Sequence, residues 1–363
     1  MNTVDTIIKE RNIPDALIAR SGKRITTPKE FDAHRKELQK LLQEHVYGYI
    51  PERPKHLKVS LVSRDVKFCA GRAPLITFNF TATIGDTEFS FPVKAVIPEA
   101  DNPIPAFIHI SFRSDVPDRF MPSEEIADNG FACFSFCYQD ITDDSDNFKS
   151  KAAKLLSPKR RTLTSPGKIA MWAWAAMTVM DYVETLPEID KDNVAVIGHS
   201  RLGKTALLTG AFDTRFKYVI SNDSGCTGAA VIRGKVGENI AAITNVYGYW
   251  FSKKYARYAS CEQALPLDQN YLTSLIAPRH LIIGSAEGDV KADPTSEFLS
   301  ACLASEAYKL YGLSGLIHNG EIPKAKTVLD DGDICYHIRH GNHYLGREDW
   351  AVYMNYIKKM MSK

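Results

Sequence analysis

The chain has 363 residues, 44% of them hydrophobic and 24% charged, with a formal net charge of +2. That is the composition of a globular protein long enough to bury a sizeable core. A charge so near balance gives no reason to expect nucleic acid or an anionic membrane surface as a partner.

Residues 1–50 are polar and helical in character, with a helix predicted over 28–46. They read as an N-terminal helical extension packed on the core of a single catalytic domain spanning 51–363. The first ten residues lack the apolar centre of a signal peptide, and no segment has the length of a transmembrane helix. A cytoplasmic location is therefore expected of the sequence as written, and a secreted one if a leader was removed. Residues 51–100 alternate in the strand manner over 57–62, 75–80 and 89–97, an antiparallel meander that opens the sheet. Buried strands follow at 106–110 and 132–136, then a strongly helical stretch over 170–186 carrying Trp172 and Trp174.

From there strand and helix alternate. Strands are predicted at 194–198, 217–221, 280–284 and 334–339, helices at 204–212, 295–311 and 348–361, with a long insertion over 224–275. Such alternation means an α/β fold, a mostly parallel sheet flanked by helices, and ligands bind at the C-terminal ends of its strands. Seven scattered cysteines without a CxxC pair read as mostly buried free thiols in a reducing compartment.

The polar residues just past each strand are therefore the candidates. Val194-Ala195-Val196-Ile197-Gly198-His199-Ser200-Arg201-Leu202-Gly203-Lys204 leads a buried strand through a tight turn into a helix, the context that lifts a serine hydroxyl clear of a sheet. The spelling departs from G-x-S-x-G, because position 202 is leucine and the glycine comes one residue later. Alone, the motif is equally a turn with a capping serine. Past the next strands come Asn222, Asp223 and Ser224, then Glu287 and Asp289, then His340 and His343. Serine, acid, histidine is the chain order of an α/β-hydrolase triad, in which the imidazole takes the serine proton and a carboxylate orients the imidazole.

His343, in the loop before the last helix, is the expected base. The acid is open between Asp289, which is favoured, and Asp223, an alternative or a helper. His337, His340 and His343 at three-residue spacing raise the question of a metal. His337 lies within a strand and no HExxH pattern accompanies them, so neither metal nor cofactor is expected. Arg201 and Lys204 sit at a helix start, where cations are electrostatically disfavoured, and so read as functional groups for an anionic substrate or an oxyanion.

Gly198-His199-Ser200-Arg201-Leu202-Gly203-Lys204 resembles the G-C-S-R-x-G-K signature of the glucuronoyl esterases, carbohydrate esterase family 15. The resemblance runs from about Ala170 through Trp350. It includes Ile220-Ser221-Asn222-Asp223-Ser224-Gly225-Cys226, Gly237-Glu238, Tyr249-Trp250-Phe251, Ala277-Pro278-Arg279, Asp293-Pro294 and His343. It implies an α/β-hydrolase that cleaves esters of 4-O-methyl-glucuronic acid with a serine triad and no metal. Ser200 would be the nucleophile and His343 the base, Arg201 would help the oxyanion, and Lys204 and Glu238 would meet the sugar. The acid follows either of two strands in the family, matching Asp223 or Asp289. His199 stands where cysteine is common, a variation similar to bacterial members, and Lys291 stands where a tryptophan often packs on the sugar. The expected partner is a small-molecule or oligosaccharide uronate ester, met by a monomer. The alternatives are an acetyl esterase on xylan-type sugars and a non-catalytic carbohydrate-binding relative.

Overall fold

The computed structural model describes residues 3–363. Its centre is a ten-stranded sheet: β1 (His56–Asp65), β2 (Leu75–Ile84), β3 (Thr87–Val96), β4 (Ile104–Ser111), β5 (Ala132–Cys137), β6 (Ile189–His199), β7 (Tyr218–Asn222), β8 (His280–Ala286), β9 (Thr327–Leu329) and β10 (Ile334–Arg339). The spatial order is β1-β2-β3-β5-β4-β6-β7-β8-β10-β9. β1, β2 and β3 form the antiparallel meander expected from their alternation. The parallel block runs from β5 through β4, β6, β7 and β8 to β10.

The period of two along the central strands divides the core into two layers. Val194 and Val196 of β6 face one layer with Val219 and Leu281, under the helices Lys168–Val183 and Arg201–Phe212. Ala195 and Ile197 face the other with Ile220 and Ile282, under the helix Arg347–Met361 and its Trp350 and Tyr353. The helix Lys168–Val183 is buried nearly throughout. It therefore reads as apolar all round rather than as one apolar stripe. Trp172 satisfies its indole N–H on Thr142 Oγ1 at 2.7 Å.

Val4, Leu17, Phe31, Leu38 and Tyr47 of the N-terminal segment belong to the first of these layers. The segment's longer helix, Pro28–Leu42, is capped by Thr27, whose hydroxyl accepts from Glu30 N at 3.3 Å. The 224–275 insertion contains the helix Ile240–Tyr247. It is tied by the buried Asp268, which accepts from Ile232 N at 2.6 Å and Arg233 N at 3.1 Å. Two features depart from expectation. β6 begins at Ile189, five residues early, because the polar stretch 190–193 stays in the strand beyond the core. β9 is a three-residue strand on the sheet edge, too short to carry an alternation. All seven cysteines are free; Cys133, Cys137, Cys226 and Cys335 are buried and Cys261 is exposed. Among the described residues, no helix is long and apolar enough to cross a membrane.

Candidate active site

β6 ends at His199 and the helix Arg201–Phe212 begins two residues later. Ser200 makes the turn between them alone, at φ 59° and ψ −127°. A side chain rarely adopts a positive φ, and such strain persists only where the surroundings over-determine it. Here Ser200 N donates to Asn222 O at 2.9 Å, and Ser200 O accepts from Gly203 N at 2.9 Å and Lys204 N at 3.1 Å. The turn is so tight that a Cβ on Gly198 would lie 2.2 Å from the Leu202 carbonyl oxygen. Gly203 sits where the helix packs closely on β7: a Cβ there would meet Ser224 Cβ at 3.0 Å and Asn222 O at 3.1 Å, so a side chain would press on both. The displaced glycine of the motif thus has a steric cause. Gly198→Ala is expected to cost about 2 kcal/mol or more, since it forces backbone apart in a packed turn. A thermal melt checks this, with a fall of several degrees in Tm expected.

The hydroxyl of Ser200 lies 2.8 Å from His343 Nε2, and His343 Nδ1 lies 2.6 Å from Asp289 Oδ2. Asp289 comes from the loop after β8 and is buried, while the imidazole is half exposed to the cleft. Burial pushes the Asp289 carboxyl up, but the hydrogen bond and charge of His343 outweigh it, and its pKa lies below the usual carboxylate value. A hydroxyl on one imidazole nitrogen and a carboxylate on the other is an arrangement that moves a proton off a serine.

Asp223 follows β7 and stands one step away. Its Oδ2 accepts from Arg339 Nη2 at 3.0 Å and from Tyr344 N at 3.3 Å. It therefore holds the loop that carries His343 rather than the ring itself. Arg339 in turn meets Asp349 through Nε at 2.9 and 3.0 Å. The three histidines of the sequence do not converge. His337 is buried in β10 beside Tyr353 and Asp349, and His340 is exposed on Glu287 at 3.0 Å. Donor atoms of Asp223, Asp289 and His343 do lie within 4.8 Å of one another. Asp289 Oδ2 and His343 bond each other, His343 also holds Ser200, and Asp223 holds Arg339 through Oδ2.

His199 packs its ring 4.5 Å from that of His343. Its Nδ1 bonds Asn222 Oδ1 at 2.6 Å, and Asn222 Nδ2 donates to Tyr353 at 3.0 Å. Burial pushes its pKa down to about 3, so it is a neutral wall beside His343.

The cleft over Ser200 has a volume of about 300 Å³ and is lined by Arg201, Lys204, Glu238, Tyr247 and Trp250 as well as Asp289 and His343. Lys204 is buried and donates from Nζ to Ser224 O. Burial lowers its pKa and the nearby Glu238 opposes this. Glu238 is paired across the mouth with the exposed Lys291 at 3.4 Å. The guanidinium of Arg201 lies over the Trp250 ring, 4.5 Å from its centroid, and pairs with Asp144. The amide of Arg201, first in its helix, makes no backbone hydrogen bond among the described residues. Asp144 and Arg339 were not anticipated from the sequence; Asn222 was placed on the rim there, without its hold on His199. Trp250 stood in a motif, but nothing in the sequence linked it to Arg201.

The family profile described as glucuronyl esterase, fungi, matches residues 80–312. A carbohydrate esterase of an unknown prokaryotic organism is 31% identical, over 98% of this chain and 91% of its own. A 4-O-methyl-glucuronoyl methylesterase of Neurospora crassa is 29% identical, over 83% and 73%. Among solved structures, a promiscuous family 15 esterase from a marine bacterial metagenome is 29% identical with a TM-score of 0.86, covering 95% of this chain and 96% of that one. A glucuronoyl esterase from Solibacter usitatus is 28% identical with a TM-score of 0.86, covering 95% and 97%. With the α/β-hydrolase sheet, the serine elbow and a family match over most of its length, the chain belongs to the glucuronoyl esterases, carbohydrate esterase family 15.

Proposed function

We propose that the chain is a serine carboxylesterase that hydrolyses esters of glucuronic acid and its 4-O-methyl ether. The observation that carries this reading is the continuous chain Asp289–His343–Ser200 opening on a cleft that holds a buried lysine and a glutamate. His343 Nε2 takes the Ser200 proton while Oγ bonds to the ester carbonyl carbon. The Arg201 amide and guanidinium stand beside the serine to receive the oxyanion, at the positive end of the helix they begin. Collapse expels the alcohol, which takes its proton from His343. Water, deprotonated by the same nitrogen, then attacks the acyl-enzyme and releases the uronate with Ser200 restored. Lys204 and Glu238, a donor and an acceptor in the same cleft, suit the hydroxyls of a sugar rather than an alkyl chain.

The test is a substrate panel with free uronate measured as product. Benzyl glucuronate is expected to be cleaved with a kcat/KM at least about tenfold above that for p-nitrophenyl acetate, since each well-placed sugar contact adds transition-state binding. Cleavage of acetate alone would leave an esterase and remove the uronate.

A further inference from the structure

Arg201 is held by a device on a different part of the chain. Asp144 lies in the loop after β5, far from Ser200 in sequence. Its Oδ1 accepts from Trp250 Nε1 at 2.7 Å. Its Oδ2 accepts from Tyr138 Oη at 2.9 Å and from Arg201 Nη1. Its main-chain oxygen accepts from Tyr249 Oη at 3.0 Å. The carboxylate is thus saturated, and it ties the start of the Ser200 helix to the aromatic segment of the insertion. The guanidinium is sandwiched as well as tethered. Trp250 lies below it, itself stacked on Tyr247 with ring centroids 4.0 Å apart and planes 5° off parallel, and Phe112 lies 5.7 Å away. Yet Arg201 Nε is buried with no hydrogen-bond partner among the described residues. A planar five-donor fork clamped through Nη1 and held between rings, with no hydrogen bond from Nη2 among the described residues, is a group on the cleft wall oriented for an acceptor that arrives with the substrate.

We infer that Asp144 is a positioning residue for ester hydrolysis: its carboxylate fixes the Arg201 guanidinium so that its free donors meet the carbonyl oxygen of the ester as negative charge develops there. This rests on the reading of Ser200 as the nucleophile and Arg201 as an oxyanion donor. The need for such a tether is electrostatic. Asp289, Asp223 and Glu238 line the same cleft. A guanidinium released from Asp144 is drawn toward the carboxylate that serves His343. Pre-orientation matters because donors that need no rearrangement during the reaction stabilise the transition state, not the bound substrate.

The experiment compares wild type, Asp144→Asn, Arg201→Ala and the double variant. One readout is steady-state hydrolysis of benzyl glucuronate. The other is the rate at which a fluorophosphonate labels Ser200, a reaction in which the serine oxygen displaces fluoride and the phosphoryl oxygen takes the place of the ester carbonyl oxygen. Asp144→Asn is expected to lower kcat and the labelling rate about 10- to 100-fold with KM within about twofold of wild type. Added to Arg201→Ala, it is expected to cause no further loss, because the two act as one unit. A loss that multiplies in the double variant, a change confined to KM, or labelling within about threefold of wild type overturns the inference. Should Asp144→Asn fail to fold, Trp250→Phe removes one anchor of the same carboxylate and keeps a ring beneath the guanidinium. It is then expected to slow labelling about threefold in the Arg201 protein and not in Arg201→Ala, and equal effects in both overturn the inference. Failure of the uronate reading is separate: wild type would then label at Ser200 yet release no uronate, and the labelling comparison would still decide the role of Asp144.

Discussion

Ser200→Ala is expected to lower kcat on a glucuronate ester about 10⁵- to 10⁶-fold while leaving KM within a few fold, since removing a triad nucleophile leaves only binding and oxyanion contacts to act. The structure explains why the loss should fall on kcat. Among the described residues, the hydroxyl's hydrogen bond is to His343 Nε2. The backbone that holds the turn is bonded through Ser200 N and Ser200 O, both of which alanine retains. Alanine tolerates φ 59° no worse than serine, so the elbow and the cleft persist, and substrate still finds Lys204, Glu238 and Arg201. The protein is expected to melt within a degree or two of wild type and to take up no fluorophosphonate. A variant that keeps more than about a hundredth of the wild-type kcat would mean that Ser200 is not the group that attacks.

Much of the fold is legible in the sequence because its signals are local and periodic. β2 and β3 alternate cleanly, and the helix Lys168–Val183 is apolar on every face. The rule that ligands gather past the C-terminal ends of parallel strands then places Ser200, Asp223, Asp289 and His343 on one rim without coordinates. Where the sequence misleads, burial is the missing term. The polar residues 190–193 look like a loop, and they stay in the strand as an irregularity between two paired positions, Ile189 with Ile104 and Val194 with Ala106. β9 has too few residues to show a period and exists through its partner β10.

The supporting contacts of the site are illegible for a different reason: they are long-range and made by residues whose local context suggests solvent. Asp144 sits in the acid-rich run Asp143-Asp144-Ser145-Asp146, which reads as a solvated turn. Its role depends on Trp250 and Arg201 arriving from 106 and 57 residues away. Lys204 at a helix start could as well be exposed, and only the fold shows it buried with its ammonium on Ser224 O. Asp223 and Asp289 are alike in sequence terms, each an aspartate just past a parallel strand. The difference between them is made by Arg339, at the end of β10, which engages one and leaves the other to the imidazole.

That difference sets the second large effect. Asp289→Asn is expected to lower kcat about 10³- to 10⁴-fold, because an amide in place of a carboxylate neither fixes the imidazole tautomer nor stabilises the imidazolium that forms as Ser200 attacks. Asp223→Asn is expected to cost no more than about tenfold, since while Asp289 holds the ring Asp223 is hydrogen-bonded to the Tyr344 amide and Arg339 and not to His343. Arg339 keeps its two contacts to Asp349 in that variant, so the buried guanidinium is not left unpaired. The gap has a ceiling as well as a floor. Asp223 Oδ1 is buried without a partner among the described residues, and a carboxylate oxygen of Asp223 lies within 4.8 Å of a ring nitrogen of His343. When Asp289 is neutralised, the Asp223 carboxyl, whose pKa burial raises well above the usual value, is still close enough to support the imidazolium, and part of the activity is expected to remain. The double variant is therefore expected to fall below Asp289→Asn by more than the single effect of Asp223→Asn, a non-additivity that steady-state kcat measures directly. A larger loss in Asp223→Asn than in Asp289→Asn would assign the triad to the other carboxylate and make Arg339 its modulator.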